Sequence, residues 1–151
     1  MSTLKEQLQA DLTAAMRERD QVRAGTIRMA LTAVTNEEVA GKEQRELTDD
    51  DVLKVLAKEA KKRREAAEAY TSAGRAELAD VEQAELAVLE AYLPKQLDDA
   101  ELERIVREAV ATSGATGMQQ MGVAMKAANA AVAGRAEGGR VAAVVRTVLA
   151  G

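Results

Sequence analysis

The sequence predicts an all-α protein, and three observations lead to that prediction. Residues with strong helix propensity, chiefly alanine, leucine, glutamate, lysine and arginine, make up much of the chain. Only one proline occurs among the 151 residues, so few positions force a helix to stop. Apolar residues recur every three or four positions in seven successive segments, which is the spacing of a helix with one buried face.

The first two helices are predicted from their caps. Thr3 and Glu6 match a capping box, so a helix should run from about Leu4 to Arg17. Asp20 is the expected N-cap of a second helix, which should end near Gly41 because glycine favours the position just after a helix. Each helix carries an apolar stripe, made of Leu4, Leu8, Leu12 and Ala15 in the first and Ala24, Ile27, Leu31 and Val34 in the second.

A long third helix is predicted after the charged loop 42–47. Thr48 should cap it, and the acidic residues 49–51 suit the positive end of the helix dipole. Arg63 falls among the apolar positions, and Glu59 four residues earlier predicts a helix-internal ion pair at the edge of the core. The apolar face holds Val52, Leu56, Ala60, Ala67 and Tyr70, and the opposite side holds Lys54, Lys58, Lys61 and Lys62.

The next two features divide the chain. Gly74 predicts a turn, after which the apolar pattern resumes at Leu78 as a fourth helix. Pro94 should end that helix, because proline lacks a backbone donor and disfavours helical geometry in the residue before it. Helices one to four should therefore form an N-terminal antiparallel helical bundle over residues 1–94, followed by a separate domain over residues 95–151.

The C-terminal part should be a small three-helix domain. Asp98 is the expected N-cap of a helix from Asp99 to about Thr112, and Gly114 should stop it. A second short helix should cover Met118 to about Ala131. A loop follows at Gly134, Gly138 and Gly139, and a last helix is predicted from Val141, Val144, Val145 and Val148.

Charge singles out the end of the chain. The net charge is -4, which argues against coating of nucleic acid by the whole surface. Residues 109–151 nevertheless hold four basic side chains and one acidic one, Glu137, so this stretch carries 4 − 1 = +3. The four are the predicted nucleic-acid-binding residues, Lys126, Arg135, Arg140 and Arg146.

Two surfaces are possible, and each has a plainer interpretation. The glycine loop with Arg135 and Arg140 could offer backbone amides and two guanidinium groups to a phosphate, or its glycines could serve loop geometry alone. Lys58, Lys61 and Lys62 form the secondary candidate surface, or they could be an ordinary solvated helix face.

The chain lacks the residues that several kinds of catalytic and metal-binding site require. The chain has no cysteine and no histidine, which excludes thiol nucleophiles, cysteine metal sites and the commonest general base. Ser2, Ser72 and Ser113 match neither a nucleophile elbow nor a Ser-x-x-Lys arrangement, and no phosphate-binding loop follows a strand. We therefore predict no catalytic residue, metal or cofactor.

Membrane association is not expected either. No run approaches the ~18 apolar residues of a membrane span, and the first residues lack the apolar core of a signal peptide. The prediction is a cytoplasmic protein.

Taken together, stretches along nearly the whole chain resemble the GatB/YqeY family, by their order and spacing. They are Ile27-Arg28-Met29, Lys61-Lys62-Arg63-Arg64, Tyr70 with Ala73-Gly74-Arg75, Glu85 leading to Tyr92-Leu93-Pro94-Lys95-Gln96-Leu97, Met121-Gly122, and Gly134-Arg135-Ala136. Two positions depart from the family pattern. Gln120 stands where an aspartate is common, and residues 129–133 lack the usual proline and lysines, which implies weaker phosphate contact.

The resemblance implies a helical bundle followed by a three-helix domain, similar to the tail of the GatB component of glutamine-dependent aminoacyl-tRNA amidotransferase. In that enzyme the tail leans on the tRNA, while catalysis lies in another domain. The resemblance therefore implies a non-catalytic tRNA-binding accessory module.

Two alternatives stay open. One is a carbon–nitrogen ligase with glutamine as amido-N-donor. The other is a protein-interaction adaptor for an aminoacyl-tRNA synthetase or for amidotransferase components.

Overall fold

The computed structural model describes residues 3–151, which form seven α-helices, one short 3-10 helix and no strand. The all-α prediction is confirmed. The chain divides into two compact units, Met1–Leu93 and Pro94–Gly151. None of the described helices is long and apolar enough to cross a membrane.

The N-terminal unit contains four helices: α1 Leu4–Arg17, α2 Gln21–Glu38, α3 Asp49–Ser72 and α4 Ala76–Glu90. Helix α3 packs along α4, α1 packs on α2, and α2 also contacts α3 and α4. Aliphatic side chains build the core, because the unit's only aromatic residues are two tyrosines. Its buried residues include Leu8, Ile27, Val34, Val52, Leu56, Leu86 and Leu89.

Local sequence signals place most of the helix boundaries correctly. The capping box of Thr3 and Glu6 is present at the start of α1, and Thr48 forms a second box with Asp51 at the start of α3. The backbone N–H of Thr48 donates to the Asp51 carboxylate and holds the pKa of that group below its usual value. At Gly74 a φ of 73° turns the chain between α3 and α4, as predicted.

The end of α2 was predicted wrongly. The helix stops at Glu38, three residues before Gly41. The buried Glu38 carboxylate accepts from Lys5 Nζ at 2.9 and 3.2 Å, and the Glu38 carbonyl accepts from the Arg45 backbone N–H at 3.0 Å. These contacts with α1 and with the following loop replace the next helical turn.

The predicted pair of Arg63 with Glu59 is also wrong. Glu59 lies 3.3 Å from Lys62 Nζ, while Arg63 reaches across to α4. Its Nε lies 2.8 Å from Glu85 Oε2, without the alignment of a hydrogen bond, and 3.6 Å from Glu82 Oε2. Arg63 therefore joins two helices instead of stabilising one turn of its own.

Tyr92 follows α4 and packs against the core of the N-terminal unit. Its hydroxyl donates to Asp11 Oδ2 on α1 at 2.5 Å, and Arg23 Nη2 lies 4.0 Å from the other carboxylate oxygen. Burial, followed by the bond to Asp11, raises the pKa of Tyr92 to about 12. The phenol thus ties the end of α4 to α1.

Tyr92→Phe should lower the free energy of unfolding by about 1 kcal/mol at pH 7, because the bond to Asp11 is lost. A tyrosine whose pKa is higher in the folded chain than in the unfolded chain stabilises the fold below pH ~10. That contribution disappears as the pH rises through about 12. Urea unfolding at several alkaline pH values should show a shallower decline for Tyr92→Phe than for wild type. The matched change Tyr70→Phe should keep the wild-type decline, and equal declines for Tyr92→Phe and wild type would contradict the assignment.

The C-terminal unit contains α5 Asp99–Ser113, the 3-10 helix Met118–Gln120, α6 Met121–Val132 and α7 Gly138–Ala150, and each pair of α-helices is in contact. The N-cap Asp98 and a left-handed Gly114, with φ 79°, bound α5 as predicted. The core of this unit is built from small and branched side chains, among them Leu97, Leu102, Val106, Val110, Ala124, Ala128, Val132, Val141 and Val145.

Two details of this unit differ from prediction. Residues 118–120 form a 3-10 helix instead of the first turn of α6. There the side-chain oxygen of Gln120 accepts from the backbone N–H of Thr116 at 2.6 Å. Gly138 and Gly139 belong to the first turn of α7, not to the loop.

Candidate nucleic-acid interface in the C-terminal unit

The loop between α6 and α7 turns back sharply on two left-handed residues. Ala133 has φ 51° and Gly134 has φ 77°, and the first of these is uncommon for a residue with a side chain. The reversal brings Arg135 back onto the end of α6, where its Nε donates to the Val132 carbonyl at 2.9 Å and its Nη2 to the Ala131 carbonyl at 2.8 Å. Arg135 therefore caps carbonyls that the helix leaves unpaired.

The segment Pro94–Leu97 lies beside this loop. The Leu97 backbone N–H donates to the Arg135 carbonyl at 2.7 Å, and the Leu97 carbonyl accepts from Arg140 Nη2 at 3.1 Å. Arg140 Nη2 also lies 2.9 Å from Asp99 Oδ1. Two stretches about 40 residues apart in the sequence are thus joined by backbone and arginine hydrogen bonds.

This pairing adds a cation that the sequence reasoning missed. Lys95 is exposed and lies two residues before Leu97, so it comes to the same part of the unit as Arg135 and Arg140. The charge count over residues 109–151 left Lys95 out. Only the contact between Leu97 and Arg135 reveals its neighbours.

Lys126 and Arg146 are exposed on α6 and α7. Each lies six residues along its helix from a residue at or near the loop. Lys126 precedes Val132, the last residue of α6, and Arg146 follows Arg140 in α7. Six helical residues correspond to about 9 Å along the axis. Of the four predicted residues, Arg135 and Arg140 both bond to Leu97, whereas no contact among the described residues joins Lys126 or Arg146 to that segment.

The N-terminus of α7 adds backbone donors. Glu137 precedes the helix without capping it through its side chain, and the first turn contains no acidic residue. A Cβ built on Gly138 would meet no atom of a more distant residue within 4 Å, but one built on Gly139 would lie 3.6 Å from Glu137 Oε1, so a carboxylate lies beside these amides. Donation from these amides to an anion stays one of the two interpretations that the sequence left open.

The lysines of α3 have a different environment. Lys58, Lys61 and Lys62 are all exposed, as predicted for that face. Lys62 pairs with Glu59 at 3.3 Å, and Lys61 lies 4.0 Å from Glu65. This surface therefore mixes charges of both signs, which weakens its attraction for phosphate.

Ser113, the last residue of α5, has a local role. Its hydroxyl donates to the Val110 carbonyl at 2.6 Å and accepts from the Ala115 backbone N–H at 3.2 Å. The side chain thus closes the end of α5. Within residues 3–151, no group of three acidic side chains is placed to hold a metal ion.

The chain matches the family described as Yqey-like protein over residues 5–149, and it belongs to that family. It is 36% identical over 86 residues to a protein of Meyerozyma guilliermondii named altered inheritance of mitochondria protein 41, mitochondrial. That alignment covers 57% of this chain and 44% of the relative, so the chain spans less than half of that protein. It is also 35% identical over 85 residues to an uncharacterised protein of Schizosaccharomyces pombe, an alignment that covers 56% of this chain and 67% of the relative.

Proposed function

We propose that this member of the Yqey-like family is a non-catalytic accessory module that binds tRNA through the phosphate backbone. The observation that carries the proposal is that Arg135 and Arg140 both bond to Leu97, two residues after the exposed Lys95. These three residues, here called the cation cluster, therefore come to one part of the C-terminal unit. The proposal includes the arrangement of the helices: an N-terminal antiparallel bundle followed by a three-helix tail domain, similar to the tail of the GatB component of the amidotransferase. Cytoplasmic location is part of the same proposal.

The cations in this cluster have separate tasks. Arg135 donates to two carbonyls at the end of α6, and Arg140 donates to the Leu97 carbonyl and to the Asp99 carboxylate. A guanidinium has five donors, so each retains donors for a phosphate, while Asp99 offsets part of the charge of Arg140. Because these hydrogen bonds already fix both side chains, little conformational entropy is lost when the arginines bind a phosphate. Lys126 and Arg146 supply attraction at the edges of the surface.

Charge-based binding of this kind should be weak and indifferent to tRNA identity. Each neutralised phosphate contributes roughly 0.7–0.9 to the slope of log affinity against log salt. The four cations predicted from the sequence therefore give a slope of about −3 to −4, to which Lys95 adds at most one further contact, with an affinity of micromolar order near physiological salt. Binding this weak suits a module that acts beside a second protein, and an amidotransferase or an aminoacyl-tRNA synthetase is the proposed partner.

The double change Lys126→Ala with Arg146→Ala tests the proposal without disturbing the fold, because both side chains are exposed. We expect weaker tRNA binding and a salt slope reduced by about 1.5, the share of two contacts. Fluorescence anisotropy with labelled tRNA at several salt concentrations measures both quantities. Separate Arg135→Lys and Arg140→Lys variants keep the charge and should keep the slope.

The matched control removes the lysines of the secondary candidate surface, Lys58, Lys61 and Lys62. If that triple alanine variant loses tRNA binding while the Lys126/Arg146 variant binds normally, α3 faces the RNA and the assignment to the tail is wrong. Ammonia release from glutamine is measured on the same preparation. Turnover above background would contradict a non-catalytic role.

A further inference from the structure

A groove of about 590 Å³ lies between α5 and α6, on the side of the unit that carries Arg135. Helix α5 contributes Ala109 and Thr112 to it, and α6 contributes Ala127 and Ala130. The groove exists because these side chains are too small to fill the space between the two helices. Its volume lies within the ~300–1,000 Å³ typical of sites for small ligands.

We propose that this groove binds the nucleoside phosphate unit of one unpaired nucleotide in the RNA. The proposal rests on the tRNA-binding function above and names the part of the RNA that the tail holds. The only aromatic residues of the chain are two tyrosines, which cannot form an extended aromatic stacking surface. The groove supplies an aliphatic surface that only the packing of α5 on α6 creates.

The charges around the groove suit a nucleotide better than they suit a simple anion. Arg135 lines it, anchored through Nε and Nη2 to the end of α6, and can direct its remaining donors at a phosphate. Glu108 and Thr112 line it from α5, and both are exposed. A carboxylate repels a bare phosphate, but it accepts hydrogen bonds from the amino and imino groups of a base or from ribose hydroxyls.

The alanine methyl groups provide contact for the flat faces of a base. A nucleotide turned out of its stack is commonly held between aromatic or apolar side chains, and its edge is read by polar groups. Alanine lets the base approach the helix closely, and the guanidinium plane of Arg135 offers a second stacking surface. An amphipathic helix of a partner protein would match the apolar surface, but it would not require both the positive charge of Arg135 and the negative charge of Glu108 at the groove.

The first experiment compares the four nucleoside monophosphates with inorganic phosphate, using amide chemical shifts of the full chain. We expect the monophosphates to shift the amides of Ala127, Ala130 and Thr112, and to bind about tenfold more tightly than phosphate. If phosphate produces the same shifts with the same affinity, the groove is not a nucleotide site and the proposal fails.

The second experiment fills the groove with Ala130→Leu, which keeps helix propensity high. Monophosphate binding should fall about tenfold, and tRNA binding should weaken while its salt slope is kept, since no cation is removed. The matched variant Ala143→Leu, on an exposed position of α7 outside the groove, should bind as wild type does. Unchanged monophosphate binding by Ala130→Leu would overturn the proposal.

Comparing monophosphate binding with tRNA binding shows whether the groove takes a nucleotide of RNA or a free nucleotide. If Ala130→Leu loses monophosphate binding but binds tRNA as tightly as wild type, the groove takes a free nucleotide and the assignment to RNA is wrong. If wild type binds monophosphates but no tRNA, the tRNA-binding function fails, and with it the RNA source. Glu108→Gln should weaken the binding of the monophosphates without weakening the binding of inorganic phosphate, because only the base or the ribose donates hydrogen bonds to the carboxylate.

Discussion

Leu56→Ala is expected to lower the free energy of unfolding of the N-terminal unit by about 3 kcal/mol, the middle of the range for a fully buried leucine. Leu56 is 0% exposed and lies on the apolar face of α3, in contact with the cluster formed with α1, α2 and α4. Removing its methyl groups leaves a cavity in a core built mainly from aliphatic side chains, which close such a space only in part.

Urea unfolding followed by circular dichroism measures this loss, and amide hydrogen exchange in α3 assigns it to the N-terminal unit. Leu78→Ala is the matched control, because Leu78 is 36% exposed on α4. It should change the free energy of unfolding by less than about 1 kcal/mol. Equal losses for the two variants would show that Leu56 is not the centre of the core.

Arg63→Ala should produce the second large effect, a loss of about 2–3 kcal/mol in the free energy of unfolding. The side chains of Arg63, Glu82 and Glu85 are only 13%, 19% and 24% exposed. Without the guanidinium, two neighbouring carboxylates remain partly buried with no cation between them. The expected loss is below the ~3–5 kcal/mol of fully buried pairs because water still reaches all three groups.

A triple variant separates the role of the charges from that of packing. Arg63→Met combined with Glu82→Gln and Glu85→Gln removes all three charges and should recover most of the lost stability. Arg107→Ala is the surface control, since its ion pair with Glu103 is 55% exposed on both sides and should contribute less than about 1 kcal/mol. If Arg63→Ala loses no more stability than Arg107→Ala does, the Arg63 contacts do not stabilise the unit.

If the chain binds tRNA as proposed, the groove and the cation cluster would contact the same RNA. Arg135 belongs to both, since it lines the groove and receives the Leu97 N–H on its carbonyl. One residue would then position the loop, contact a phosphate and flank a base. Its replacement by alanine would disturb all three roles, which is why the exposed Lys126 and Arg146 give the cleaner test of RNA contact.

The sequence by itself determined the helical class, the family and most helix starts. Thr3, Asp20, Thr48 and Asp98 each accept from a backbone N–H three residues away, so their roles depend on contacts that the local sequence contains. Helix ends at glycines in left-handed geometry, such as Gly74 and Gly114, are predictable for the same reason.

The tertiary structure alone decided contacts between residues far apart in the chain. Arg63 had an acceptable partner within its own helix, yet it pairs with α4, because packing α3 on α4 brings Glu82 and Glu85 to it. Lys95 comes to the same part of the unit as Arg135 only because Leu97 bonds to the loop before α7. The groove exists only where α5 and α6 meet through small side chains. Periodicity shows which face of a helix is buried, but not which residue of another helix it meets, since that depends on how the helices pack in three dimensions.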